Sequence, residues 1–333
     1  MKYIPNLPAS AAFNFALEEY LCRSKKFNDT VFLLWKTTPT IMISRFQKSY
    51  EEIDYEQIKE SNMEVVRRNT GGGTLYTDEG GCQFSFISKK VDDKIDFTPF
   101  INPIIKALHN LGVEVDFNSR NDLKIDGKKI SGNAQTIIEG YILHHGSLLY
   151  NTDLSNLDNY LKNAKHKASP KANKKVGNIA DYIPDNISAD KFMEEIASEI
   201  IASGAEVYEL TDEDIKAIKQ IEDEKFKNDS WTFDDEKNYN FYKTSKFKGG
   251  KLEISMNIVD GIIEDCKFNG DFFAKDNVVD IEQALIGQKF DNQILKNVLS
   301  DDNLSDILYQ ISNDEILELL FSNEELNNDI EYY

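Results

Sequence analysis

Apolar residues recur at helical spacing in "AAFNFALEEYLCR", at Phe13, Ala16, Leu17, Tyr20 and Leu21, and predict an N-terminal helix. Two short β-rich runs follow, "TVFLLWK" and "PTIMISRF". The Thr37-Thr38-Pro39 step between them suggests a hairpin. "DYEQIKESNM" reads as a helix and "EVVRRN" as a strand. "TLYTDEGG" and "CQFSFIS" read as paired strands around Glu79-Gly80-Gly81. "FTPFINPIIKALHNLGVEVDF" predicts a helix that stops at Leu111, with Gly112 as its C-terminal cap.

Asp126-Gly127 in "NDLKIDGKKISGNAQ" is a two-residue turn signal. The hairpin it implies pairs Ile125 with Lys128, Lys124 with Lys129 and Leu123 with Ile130. Lys129 then projects from the face opposite the apolar one, with Asp122 and Ser131 nearby. "YILHHGSLLYN" is a further strand, and "ADKFMEEIASEIIAS" and "DEDIKAIKQIEDEKF" are amphipathic helices. A second module begins near residue 245 with strands joined by Gly-Gly and Asp-Gly turns, and ends in helices. The expected division is 1–244 and 245–333. The elements form no βαβ series, so the expected class is α+β.

Composition narrows the function. The chain has 333 residues, 41% hydrophobic and 29% charged, with a net charge of −20. That acidity argues against nucleic acid as a partner, which needs a basic face. No apolar run reaches the ~20 residues of a membrane span, and "MKYIPNLPASAAFNFALEEYL" lacks the pattern of a secretory signal. Three scattered cysteines, Cys22, Cys82 and Cys266, argue against a disulfide framework and for a reducing compartment. The expected location is the cytoplasm. One strongly cationic stretch, residues 162 to 175, reads either as a solvated loop or as one that closes over an anion.

Candidate chemistry centres on "RRNTGGGTLY", residues 67 to 76. Three successive glycines are costly to order. They fit neither the phosphate loop, which needs a following Gly-Lys-Ser/Thr, nor the dinucleotide fingerprint, which opens a helix. Bared backbone N–H groups can line an anion-binding concavity, and the fork of Arg67 or Arg68 suits phosphate or carboxylate; a structural turn is the equal alternative. Lys129 could grip a phosphate or acyl carbonyl as a point charge. His144 and His145, adjacent on a strand, face opposite sides and have no partner at metal-ligand spacing. Cys82 is a possible thiol nucleophile, though core packing is the favoured reading.

In order, "NFALEEYL", "ISRFQ", "RRNTGGGTLYTDEGGCQFSFI", "RNDLKIDGKKISGNAQ", "HHGSLLYNTDLSNL" and "KKVGNIADYI" resemble the lipoate–protein ligases of the A type. The segment "KFKGGKLEISMNIVDGIIEDCKFNGDFF" looks like the accessory domain of their longer bacterial forms. The resemblance implies the biotin/lipoate protein ligase fold, related to class II aminoacyl-tRNA synthetase cores, plus a small α/β accessory domain. It implies an ATP- and Mg2+-using reaction through lipoyl-AMP. The acceptors would be lysines of lipoyl domains of 2-oxoacid dehydrogenase E2 subunits or of glycine cleavage H protein. The expected protein is a monomer with no membrane partner.

Carried over by residue, Lys129 would be catalytic, and Arg68 would bind the ligand. Gly71, Gly72, Gly73, Thr74, Leu75 and Tyr76 would form the nucleotide turn. Asn121 and Asp122 would handle nucleotide and magnesium, within a block that continues through Ser131 and Gly132. One of His144 and His145, followed by Gly146, would border the acyl pocket. Val176 and Asn178 would end the adenylate loop, which spans 162 to 180. The chain departs from the family pattern at Ser44, Thr70 and, most seriously, Thr77, which stands in place of a histidine. Two rivals remain: an ATP-independent octanoyl or lipoyl carrier-to-carrier amidotransferase using Cys82, and a non-catalytic lipoate or lipoyl-domain binding protein.

Overall fold

A computed structural model describes residues 1–61, 63–91, 94–117, 121–155, 160–161, 176–183, 187–233, 237–275, 277–305 and 307–322. The chain forms two compact units. The larger comprises Met1–Ile43, Ser49–Asn69 and Thr74–Asp234; the smaller comprises Ser44–Lys48, Thr70–Gly73 and Asp235–Tyr333. The fold is α+β, with mixed sheets and helices.

In the larger unit, β1 (Lys2–Ile4) precedes helix α1 (Ala11–Tyr20), which Ser10 caps by accepting from the Phe13 N–H. All ten residues of α1 are buried. Next come β2 (Val31–Trp35), β3 (Thr40–Ile43), the short helices α2 (Ser49–Glu52) and α3 (Tyr55–Lys59), β4 (Glu64–Arg67), β5 (Leu75–Thr77) and β6 (Cys82–Lys89). Helix α4 (Thr98–Asn110) is followed by Gly112 at φ +79°, the left-handed position its cap requires. The strands β7 (Asp116–Phe117), β8 (Asp122–Ile125), β9 (Lys128–Ile138) and β10 (Tyr141–Leu148) follow. Later helices are Ala189–Ala202 and Asp212–Ile221, with the strand β11 (Glu206–Val207) between them.

Eight strands make one sheet in the order β11-β1-β2-β6-β10-β9-β8-β7. A second sheet runs β4-β3-β5. Two pairings expected from the sequence are therefore corrected. β2 and β3 are not a hairpin: β2 lies between β1 and β6, while β3 pairs with β4 and β5. β5 and β6 likewise belong to different sheets. The reason is burial on both faces. All five residues of β2 and all four of β3 are buried, and a two-stranded ribbon cannot cover both sides of such a strand.

Register fixes what each face of the eight-stranded sheet presents. Leu33 pairs with Ser85, Ser85 with His145 and His145 with Ala134, so these share the face covered by α1. Phe32 pairs with Phe86, Phe86 with His144 and His144 with Gln135, so these share the other face, where Phe100 of α4 stacks on His144.

The smaller unit holds a sheet of β12 (Phe241–Phe247), β13 (Gly250–Val259) and β14 (Ile262–Gly270). Helices Val278–Leu285, Asn292–Leu299 and Asn313–Phe321 follow and share its core with Leu252, Ile254 and Phe268.

Candidate active site

The Asp126-Gly127 turn forms as expected, with both residues at positive φ (50° and 75°). Ile125 pairs with Lys128 and Lys124 with Lys129, but Leu123 then pairs with Ser131 and Asp122 with Gly132. β9 therefore holds one extra residue, Ile130, and the expected Leu123–Ile130 pair does not exist. Such a bulge reverses the alternation beyond it. Lys129 keeps the face of Asp122 and gains Gly132 there, while Ser131 is turned to the opposite one. There Ser131 is fully buried and accepts from the Asn133 side-chain amide.

The Lys129 ammonium lies 2.7 Å from Oδ1 of Asp122. It also overhangs Gly132: a Cβ there would stand 3.0 Å from Nζ. Gly132 shares its face with Ala134 and hence with His145. On the side away from β8, the backbone of Lys129 bridges to Val176, and its carbonyl accepts from the Gly177 N–H at 3.0 Å. Asn178 holds the Thr152 backbone at both ends, accepting from its N–H and donating to its carbonyl. Asn121 donates to the carbonyl of Asn133, whose side chain donates back to the Asn121 carbonyl. Residues 162 to 175, the cationic segment expected to close over the ligand, lie outside the described residues.

A buried polar chain crosses the α1-covered face. Trp35 Nε1 donates to Ser85 Oγ at 3.1 Å, and Ser85 Oγ donates to Glu18 Oε1 at 2.6 Å. The Glu18 carboxylate meets Nδ1 of His145 at 3.1 and 3.2 Å. Glu18 is fully buried. The Arg68 guanidinium, buried and donating to the Met42 carbonyl, feels the same carboxylate. Desolvation pushes Arg68 down to about 9, against the favourable charge of Glu18. Arg67 points elsewhere: it donates to the Trp231 and Thr232 carbonyls. Glu18, Ser85 and Trp35 were not singled out from the sequence. The available signal was two carboxylates, Glu18 and Glu19, inside an apolar helical repeat.

Thr77 is buried and accepts from the Gln83 amide at 2.9 Å. Tyr76 donates its hydroxyl to Asp78, and Leu75 adjoins the core formed with α1. Of the two adjacent histidines, His145 faces Glu18 while His144 lies among Phe84, Phe97 and Phe100. Burial holds His144 neutral, well below the ordinary imidazole value. Gly146 is obligatory on that side, since a Cβ would meet Asn133 Oδ1 at 2.3 Å and Phe84 at 2.4 Å.

The glycine run divides. Residues 70–73 cluster with the smaller unit, where a Cβ on Gly71 would lie 2.0 Å from the Phe272 carbonyl oxygen. Gly72 sits at φ +93°. A Cβ on Gly73 meets nothing within 4 Å. Gly71 is thus required by the chain's own backbone, whereas Gly73 borders open space. Cys82 is buried, and desolvation pushes its thiol up to about 12, so it is protonated at neutral pH.

The lipoyl protein ligase A/B catalytic domain matches residues 10–201, and the bacterial lipoate protein ligase C-terminus matches residues 236–320. A lipoate–protein ligase of Bacillus subtilis is 33% identical over 92% of this chain and 96% of its own length. The structure of P. falciparum LipL1 in complex with lipoate superposes with a TM-score of 0.80 at 22% identity, covering 95% of this chain and 97% of that one. A lipoate–protein ligase A bound with ATP gives 0.60 at 23% identity, covering 69% and 97%. The fold, the sequence relatives and both matched segments agree: the chain belongs to the lipoate–protein ligase family.

Proposed function

We propose that the chain activates free lipoate with ATP and passes the lipoyl group to a lysine of an apo lipoyl domain, through an enzyme-held lipoyl-AMP. The observation that carries this is the Lys129 ammonium, held by Asp122 above Gly132 on the sheet face of His145. In the first step a lipoate carboxylate oxygen attacks the α-phosphorus of ATP and the bond to pyrophosphate breaks. In the second the acceptor's neutral ε-amine attacks the acyl carbon, AMP leaves, and the amine's proton passes to solvent.

Both steps place anionic oxygen where a fixed cation lowers the barrier. Lys129 supplies that charge to the acyl and phosphate oxygens, and Gly132, lacking a side chain, leaves room for them. Arg68, already desolvated, would pair with the anion of the ligand. Thr74, and Val176 with Asn178, would flank the nucleotide. The donor set suits a magnesium that arrives with ATP: one partly exposed carboxylate, Asp122, and no three-residue metal cluster among the described residues. Bound there, the ion would neutralise phosphate charge.

The test mixes protein, ATP, magnesium and lipoate and measures pyrophosphate, with an apo lipoyl domain weighed intact in a second tube. Lipoate-dependent pyrophosphate and a mass gain of one lipoyl group are expected. Acylation of the domain from an acyl-carrier donor without ATP would overturn the reading in favour of the amidotransferase. The raised Cys82 thiol argues against that.

A further inference from the structure

Arg68 is held on both sides by residues more than 150 positions further along the chain. The peptide that joins it to Arg67 is fixed at both ends: its N–H donates to the Ile43 carbonyl at 2.9 Å, and its carbonyl accepts from the Trp231 indole at 2.9 Å. Arg67 returns the contact, donating from Nε to the Trp231 carbonyl and from Nη2 to the Thr232 carbonyl. On the other side, the Asn69 side chain donates to Glu19 Oε2 at 3.1 Å and accepts from the Lys225 ammonium at 2.8 Å. Lys225 also donates to Glu19 Oε2 and lies 4.0 Å from the centroid of the Trp231 ring. All of these residues belong to the larger unit.

The donor chemistry leaves this network one arrangement. An ammonium only donates and a carboxylate only accepts, so Asn69 turns its oxygen to Lys225 and its nitrogen to Glu19. Glu19 is buried, and desolvation pushes its carboxyl up; Lys225 and Asn69 more than offset that and hold it below the ordinary value. A buried ion pair adds little net stability over an apolar substitute, but it fixes position. Lys225 stands on a π turn, Glu222–Phe226, a rare local form that is frequent at functional sites. Position matters here because Asn69 is the last residue of the larger unit before the glycine run. Glycines bring no side chains that could hold Arg68 from that side.

We propose that Lys225 and Trp231 are positioning residues for Arg68. By pinning the residues on either side, they aim its guanidinium at the anion of the ligand without touching the ligand themselves. A guanidinium binds an anion well only when its planar fork is presented in the right orientation. This role rests on Arg68 pairing with the ligand, as proposed above.

The test measures lipoate-dependent pyrophosphate release for the full chain and its variants. Lys225→Met should raise KM for lipoate by about fivefold or more and leave kcat within about threefold, the signature of lost ground-state binding. Lys225→Arg keeps a cation for Glu19 and Asn69 and should bring KM back to within about twofold of the natural value. Added to Arg68→Met, Lys225→Met should change KM by less than about twofold, because residues that act through one contact are not additive. Additive losses, a fall in kcat with KM unchanged, or no rescue by arginine would each overturn the proposal. If Lys225→Met does not fold, Trp231→Phe decides it, since it keeps a ring under Lys225 and removes only the N–H to the Arg67 carbonyl. A raised KM with kcat kept supports the role, and an unchanged KM overturns it. If Arg68→Met itself leaves KM unchanged, the ligand contact of Arg68 fails and this role fails with it. A raised KM in Arg68→Met with none in Lys225→Met and Trp231→Phe overturns the positioning alone.

Discussion

Lys129 and Asp122 meet at 2.7 Å on one face of the β8–β9 hairpin, and the extra residue in β9 brings Gly132 onto that face. In an unbroken ladder Lys129 would share its face with Ser131. The bulge instead sets its ammonium over Gly132 and on the side of His145.

Lys129→Ala should therefore lower lipoate-dependent pyrophosphate release by about a hundredfold or more, the scale of losing one pre-placed electrostatic group. Cys82→Ser should leave the rate within about twofold, since a thiol pushed up to about 12 supplies no thiolate at neutral pH. Steady-state kinetics on both variants check this.

Arg68→Met separates binding from folding. The variant leaves the Met42 carbonyl and the buried Glu18 carboxylate without the guanidinium and should lose stability. Its KM for lipoate should rise at least about tenfold through the lost charge-assisted contact, with the protein still folded under assay conditions. Denaturant melts and a KM-against-kcat comparison read the two effects.

Ser85 links Trp35 to Glu18. Ser85→Ala leaves a buried indole N–H and one carboxylate oxygen without that hydroxyl, at a cost of about 1–3 kcal/mol. Equilibrium unfolding should show the loss, with the rest of the chain unchanged.

The glycines should respond differently to alanine. Gly71→Ala drives a methyl into the Phe272 carbonyl and should destabilise the smaller unit by about 2–4 kcal/mol. Gly73→Ala meets no atom within 4 Å and should shift stability by no more than about 0.5 kcal/mol. An activity loss at Gly73 without a stability loss would mark it as the glycine that a ligand approaches.

Stability should fall with acid in a window set by His144. Burial keeps the folded imidazole neutral well below pH 6.5, whereas the unfolded chain takes up a proton near that value. Below about pH 6.5 the unfolded state binds more protons, so stability declines by up to about 1.4 kcal/mol per pH unit from this group. His144→Phe should flatten that slope between pH 6.5 and 5, measured by urea unfolding at each pH.

The sequence by itself determined the family, the helix of residues 11–20, the Asp126-Gly127 turn and the α+β class. These rest on short-range rules: helical periodicity, turn residues at positive φ, and ordered motif blocks. It also placed Lys129 beside Asp122. Tertiary structure decided which strands share a sheet, because β2 and β3 are apolar on both faces and alternation cannot then choose a partner. It decided the bulge at Ile130, which reverses side-chain alternation without a local marker. It assembled Glu18, Ser85 and His145 from positions up to 127 residues apart, and assigned Gly71 to the backbone of Phe272. Each of these is a long-range packing outcome, fixed by what lies across the sheet and not by what lies next along the chain.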